Sequence, residues 1–138
     1  MGLTTMEDSL MIGHSGMDRE HLCLAGLVNQ LADGIKSLKG EKFCDRVLDD
    51  IIRQMRAHFA AEEDLMAQHR YPNQEHHKGE HELIIRMTIK HKVCIDQDSS
   101  ASYIPTLDLL ESALSSHILI ADKALADAIS PAALGPMH

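Results

Sequence analysis

Four stretches of this chain repeat apolar residues at helical spacing, and in each of them histidines or carboxylates stand among the apolar positions. No other feature constrains the fold as much. The stripes require four helices that each bury one face. The polar interruptions require that the enclosing structure supply partners, because an unpaired buried carboxylate is costly.

The first predicted helix starts near Ser15, where Ser15-Gly16-Met17-Asp18 resembles a capping box. His21 heads its stripe, which continues through Leu24, Val28, Leu31, Ile35 and Leu38, and Gly40 suits the stop. The second runs from about Glu41 to Gln68. Its stripe passes from Val47, Leu48, Ile51, Ile52 and Met55 to His58, Phe59 and Glu62, then to Leu65 and Met66. Tyr71-Pro72 ends it, because a residue before proline resists the α region.

Asn73 is a good N-cap for the third helix, which runs to about Ile95. There His77 and His81 lie a turn apart on one face. Leu83, Ile84, Ile85 and Met87 support that face and the His76/Glu80 face equally. Asp96 to Ser102 reads as a polar loop. Pro105 fits the first turn of the fourth helix, which continues to about Ile129 with Leu107, Leu110, Leu114, His117, Ile118, Ala121 and Leu125 as its stripe. Asp122 follows His117 by five residues, about 140° around an α-helix, so it is permitted to reach inward but not required to. Ser130-Pro131 is the stop. Residues 1–14 read as an N-terminal arm and 130–138 as a loose tail.

With short connections and no strand signal, the expected fold is all-α: an antiparallel up-down-up-down four-helix bundle in a single domain over 1–138. Aromatic residues make up only 3% and Trp is absent, so the core must be aliphatic and methionine-rich. The formal net charge of −8 excludes the basic footprint of a nucleic-acid binder. No apolar run is long enough to span a membrane, and the N-terminus lacks the pattern of a signal peptide. Cys23, Cys44 and Cys94 are scattered and odd in number, which reads as reduced thiols in a cytoplasmic protein.

The chain holds 10 histidines, and those on the stripes are the ones that matter. One core histidine is more often a hydrogen-bonded structural residue than a ligand, and an i,i+4 His/Glu pair is usually solvated. Such residues at similar depth on all four helices point instead to a metal site built from facing helices. A metal-free bundle would leave too many buried polar groups without partners. A ferritin-like oxidase needs two Glu-x-x-His motifs, and the nearest pattern here is Asp18-x-x-His21. Zinc fits a four-coordinate structural site better than so large a donor set. No Ser/His/Asp or Cys/His arrangement emerges, so no catalytic residue is assigned. His14, His69, His76, His91 and His138 read as surface or loop residues.

His21, then His58-x-x-x-Glu62, His77-x-x-x-His81 and His117-x-x-x-x-Asp122 resemble the seven-ligand signature of hemerythrins in their bacterial form. The flanking Met17-Asp18-Arg19-Glu20, Leu24, Asn29, the stretch from His58 to Met66, Tyr71-Pro72 and Ile118 agree with it, over about residues 12–129. The resemblance selects His77 and His81 on the third helix. It implies two iron ions with an oxo or hydroxo bridge. His77, His81 and His117 would hold one iron, His21 and His58 the other, and Glu62 and Asp122 would bridge them. Counting donors, the iron of His21 and His58 keeps an open position, where dioxygen would bind reversibly.

Leu24, Phe59, Leu114 and Ile118 are candidates for the lining of an apolar oxygen pocket. The implied role is carriage, storage or delivery of oxygen, or sensing if the chain is part of a longer one. The expected protein is a monomer, with an oxygen-using or signalling protein as a possible partner class. The alternative is a di-iron redox enzyme acting on peroxide or nitric oxide. Two positions depart from the family pattern: Ala113 stands where many members have Trp, and Glu20 where many have Gln. Loss of the indole would widen the pocket and speed autoxidation.

Overall fold

The computed structural model describes residues 11–98 and 102–130. It is an all-α four-helix bundle. Helices α1 (Ser15–Lys36), α2 (Glu41–Gln68) and α3 (Gln74–Gln97) are followed by a composite fourth rod. That rod consists of α4 (Ile104–Ser116), a π-helical turn (His117–Asp122) and α5 (Lys123–Ile129). Each helix packs on the next, and α4 closes back on α1.

The helix ends follow local chemistry. His14, not Ser15, caps α1: its Nδ1 accepts the Met17 N–H at 3.1 Å. Asp18 reaches back past the cap and accepts the N–H of Ile12 at 2.7 Å and of Gly13 at 3.3 Å. The end of the expected arm is therefore tied to α1. Ile12 is buried in the core and His14 has a structural task, whereas residues 1–10 lie outside the described set.

Helix α1 stops earlier than Gly40. Lys39 N–H bonds the Gly34 carbonyl and Leu38 N–H the Ile35 carbonyl, a Schellman motif that puts Leu38 in the left-handed region at φ 55°. Leu38 therefore leaves the apolar stripe and is 89% exposed. Helix α2 ends the same way. Tyr71 N–H bonds Met66 O, Arg70 N–H bonds Ala67 O, and Arg70 has φ 51°. Between these ends Gly40, at φ 95°, caps the start of α2. At Gly34 the two helices approach so closely that a Cβ would meet the Phe43 ring at 2.6 Å.

Helix α3 runs two residues further than expected, to Gln97, and Asn73 precedes it without a side-chain capping bond. The expected tail after Ser130 and residues 99–101 of the connection fall outside the described residues.

Leu24, Ala25, Val28 and Leu31 of α1 pack with Val47, Leu48, Ile51 and Met55 of α2, and with Leu110, Leu114 and Leu125 of the fourth rod. The buried residues of α3 are His77, His81, Ile84, Thr88 and Ile95. Three of the five are polar, which explains why its apolar pattern did not select a face. Leu83 and Met87 are exposed. No helix among the described residues is long and apolar enough to cross a membrane.

Candidate metal centre

His21 stands near the start of α1, His58 and Glu62 near the end of α2, His77 and His81 near the start of α3, and His117 and Asp122 late in the fourth rod. In an antiparallel bundle these positions share one end. Aliphatic side chains fill the other end and also close this one, where Ile12, Met17, Met66, Leu125 and Ile129 are buried at the helix ends. All seven sequence-predicted ligands converge in the core, each at most 3% exposed.

They form two overlapping groups: Glu62, His77, His81, His117 and Asp122, and His21, His58, Glu62 and Asp122. The two carboxylates belong to both, and their oxygens divide between them. Glu62 Oε1 lies 3.0 Å from His77 Nε2 and 2.9 Å from His81 Nε2, whereas Oε2 lies 2.7 Å from His58 Nε2. Asp122 Oδ1 lies 3.0 Å from His77 Nε2 and 3.1 Å from His117 Nε2, whereas Oδ2 lies 2.8 Å from His21 Nε2. Each carboxylate thus spans the two groups.

The π-helical turn brings Asp122 to this point. Lys123 N–H bonds the Ile118 carbonyl, five residues back. The wider turn removes most of the angular offset that an α-helix would leave between His117 and Asp122. Local unwinding of the fourth rod therefore settles what the α-helical wheel left open.

The residues fit a pair of metal ions on three counts. First, the donor set is imidazole nitrogen and carboxylate oxygen, suited to borderline and hard divalent cations. Second, His81 Nε2 and His117 Nε2 are 3.0 Å apart, and His21 Nε2 and His58 Nε2 3.1 Å. Neighbouring ligands around an octahedral ion with bonds of about 2.1 Å lie about 3.0 Å apart. Third, Glu62 Oε2 and Asp122 Oδ1 are buried with no partner of hydrogen-bond geometry, although His58 Nε2 stands 2.7 Å from the first and His77 Nε2 3.0 Å from the second, as atoms that share an ion do. Buried polar atoms are rarely left so.

The electrostatics agree. Burial alone would raise the carboxyl groups of Glu62 and Asp122, but the imidazoles of His117, His21, His58 and His77 packed against them hold both far below the usual range. Burial would lower the histidines, yet Asp122 and Glu62 outweigh it and push His58 and His117 up to about 10. His21 and His77 are raised by the same pair of carboxylates. The centre is thus a fixed negative pair that attracts cations, protons included.

Sequence reasoning missed three further carboxylates as functional residues. His58 Nδ1–H donates to Glu20 at 2.5 Å, His81 Nδ1–H to Glu63 at 3.0 Å and His117 Nδ1–H to Glu80 at 2.8 Å. With Nδ1 donating outward, each imidazole presents Nε2 to the centre. The available signal was that each acid is the chain neighbour of a predicted ligand: Glu20 of His21, Glu63 of Glu62, Glu80 of His81. Glu80 also pairs with the exposed His76 at 3.0 Å, so the rejected face of α3 still serves the site. Of the other histidines assigned to the surface, His69 caps α2, His91 hydrogen-bonds Thr106, and His138 lies outside the described residues.

Leu24, Phe59, Leu114 and Ile118 are all buried. Phe59 stacks flat on His81, with ring centroids 3.9 Å apart and planes 4° from parallel, and turns an edge toward His117. It therefore packs beside the three-histidine group. Ala113 is half-buried against the core.

The family model of the hemerythrin HHE cation binding domain matches residues 13–129. A bacteriohemerythrin of Stenotrophomonas maltophilia (strain R551-3) is 29% identical over 133 residues, covering 94% of this chain and 83% of the relative. No solved structure matches the chain significantly. The match spans all four helices and every residue of the two overlapping His/carboxylate groups, and the chain belongs to the hemerythrin family.

Proposed function

We propose that the chain is a non-heme di-iron protein that binds dioxygen reversibly, as a carrier, store or delivery protein. His77, His81 and His117 would hold one iron and His21 and His58 the other, with Glu62 and Asp122 shared. The observation that carries this reading is the division of both carboxylates, one oxygen toward each histidine group. When bound, the iron pair supplies two electrons and one open position, on the side with fewer histidines. A relative named bacteriohemerythrin supports the same reading.

The protein's own part is to hold and to exclude. Glu20, Glu63 and Glu80 orient three imidazoles, so their Nε2 atoms meet the ions without reorganisation. Leu24, Leu114, Ile118 and Phe59 keep water from the centre. Cys23, Cys44 and Cys94 are unpaired, which fits a reducing, cytoplasmic setting.

One observation favours the second reading, a redox enzyme acting on peroxide or nitric oxide. Glu20 is an ionisable group whose side chain is 36% exposed, and it is hydrogen-bonded to His58 beside the open side. It can exchange a proton between His58 Nδ1 and solvent, which a plain carrier does not need.

The deciding experiment is an optical titration of the anaerobic ferrous-loaded protein with dioxygen, followed by removal of the gas. Reversible binding gives a band that rises and falls over repeated cycles. Irreversible oxidation in one mixing step, with steady turnover of peroxide or nitric oxide by a reductant, establishes the enzyme instead. In the same assay Ala113→Trp should autoxidise more slowly, because the indole fills space beside His117. An unchanged rate removes Ala113 from the account.

A further inference from the structure

The buried centre poses a problem of access. Each of its residues is at most 3% exposed, so an ion cannot reach it through the packed helices unless the wall opens to solvent somewhere. Such a place exists between α1 and α2. A cleft of about 420 Å³ is walled by residues that include His14, Arg19, Glu20, Cys23, Glu62 and Asp64. Glu62, fully buried and shared by both metal groups, is part of that wall.

Resting on the di-metal reading above, we infer that this cleft is the port through which divalent cations enter and leave the centre, with Glu20 as the carboxylate that hands them inward. Glu20 belongs to both surroundings: it lines the cleft and its Oε1 holds His58 Nδ1. A carboxylate has a second oxygen, so Glu20 can receive a cation without releasing the histidine. The residues lining the cleft include three acids, Glu20, Glu62 and Asp64, against one guanidinium, Arg19, so the net charge around it is negative and favours cations. A hydrated ion can then exchange waters for carboxylate oxygens in steps and avoid shedding its shell at once, which hard cations resist.

The groove between α3 and α4 is of similar size, about 440 Å³, but offers no such path. Met87, Lys90, His91, Cys94, Ile95 and Thr106 are among its walls; none belongs to either metal group, and Lys90 repels cations. That groove supplies the control.

The test follows cobalt(II) uptake by the full-length apoprotein in stopped flow, cobalt release to a small chelator, and equilibrium affinity by competition. Cys23→Phe narrows the cleft without removing a ligand. Uptake and release should both slow on the order of ten-fold, by the same factor, with affinity unchanged, because a port changes only the barrier. Cys94→Phe, in the other groove, should leave both rates alone. Glu20→Gln keeps an acceptor for His58 but loses the charge, so uptake should slow by about three-fold or more and lose salt dependence.

If Cys23→Phe does not fold, labelling Cys23 with a bulky maleimide in the folded Cys94→Ser protein blocks the same place, since Cys44 is buried. Unchanged rates with the cleft blocked, or equal slowing by Cys94→Phe, overturn the port. An apoprotein that takes up no cobalt overturns the di-metal reading itself and the port with it. Failure of dioxygen reversibility touches neither.

Discussion

Glu20, Glu63 and Glu80 each reach across a helix interface to the outer nitrogen of a histidine. Their cost when lost is specific. Removal of such a partner from a metal-binding histidine typically weakens metal affinity by about 10–100-fold. Glu80→Ala should do so by freeing His117, and Glu80→Gln should recover most of the loss because an amide oxygen still accepts from Nδ1. Cobalt competition titration measures it, and an unchanged affinity for Glu80→Ala means that His117 needs no such anchor.

A second prediction concerns Tyr103, which burial and the charges of Asp45 and Glu41 push up to about 12. The shift favours the neutral phenol in the folded state. Its stabilisation is therefore complete below the ordinary tyrosine value near 10 and is lost as pH rises through about 12. Tyr71 is also raised, first by burial and then by Asp122, and Trp is absent, so ultraviolet titration reads the two tyrosines cleanly. Little tyrosinate should form at pH 10 in the metal-free folded protein, and an ordinary titration should return in denaturant. A half-ionised folded protein at pH 10 contradicts the environment described for Tyr103.

Residue by residue, legibility followed burial. His21, His58, Glu62 and His117 stood out because polar side chains occupied apolar stripes. The outer glutamates did not, because a half-exposed acid on a helix looks like a solvated surface residue until the neighbouring helix is in place.

At the scale of elements, helices were legible and their ends and winding were not. Apolar periodicity marks a helix, but Leu38 matches that periodicity and still leaves the helix, because backbone hydrogen bonds to Gly34 and Ile35 close the turn there. The π-helical turn is invisible to a 3.6-residue wheel, which is why Asp122 was admitted only as a possibility. The third helix was ambiguous because its inward face is mostly polar. The Schellman ends yield a prediction. Leu38 holds a left-handed φ of 55° while 89% exposed, so it pays a backbone cost and gains no burial. Leu38→Gly should raise stability by about 1 kcal/mol in urea unfolding of either the metal-free or the loaded protein. A fall would show that Leu38 makes a contact absent from the structure.

Over the whole molecule, the metal centre and the fold are coupled. Most of the core is packed with apolar side chains, but toward one end it gathers five histidines and two carboxylates. Without cations that end relies on protons: His58 and His117 are pushed up to about 10 and carry charge beside ionised Glu62 and Asp122. Buried ion pairs of this kind offset much of their attraction with desolvation. Divalent ions displace those protons and occupy positions where several donors already converge, so their binding energy appears as folding stability. Loading should therefore raise the melting temperature and release protons. At free metal about 1,000-fold above the dissociation constant the gain is about 4 kcal/mol. The increment must depend on the shared carboxylate. In Glu62→Ala both groups lose a donor, so the melting temperature of the variant should respond weakly to the same metal concentration, whatever its starting stability. Calorimetry of wild type and variant, each with and without cobalt, separates the terms. An equal rise in both would mean that the ions stabilise the acidic surface of this −8 chain and not its core.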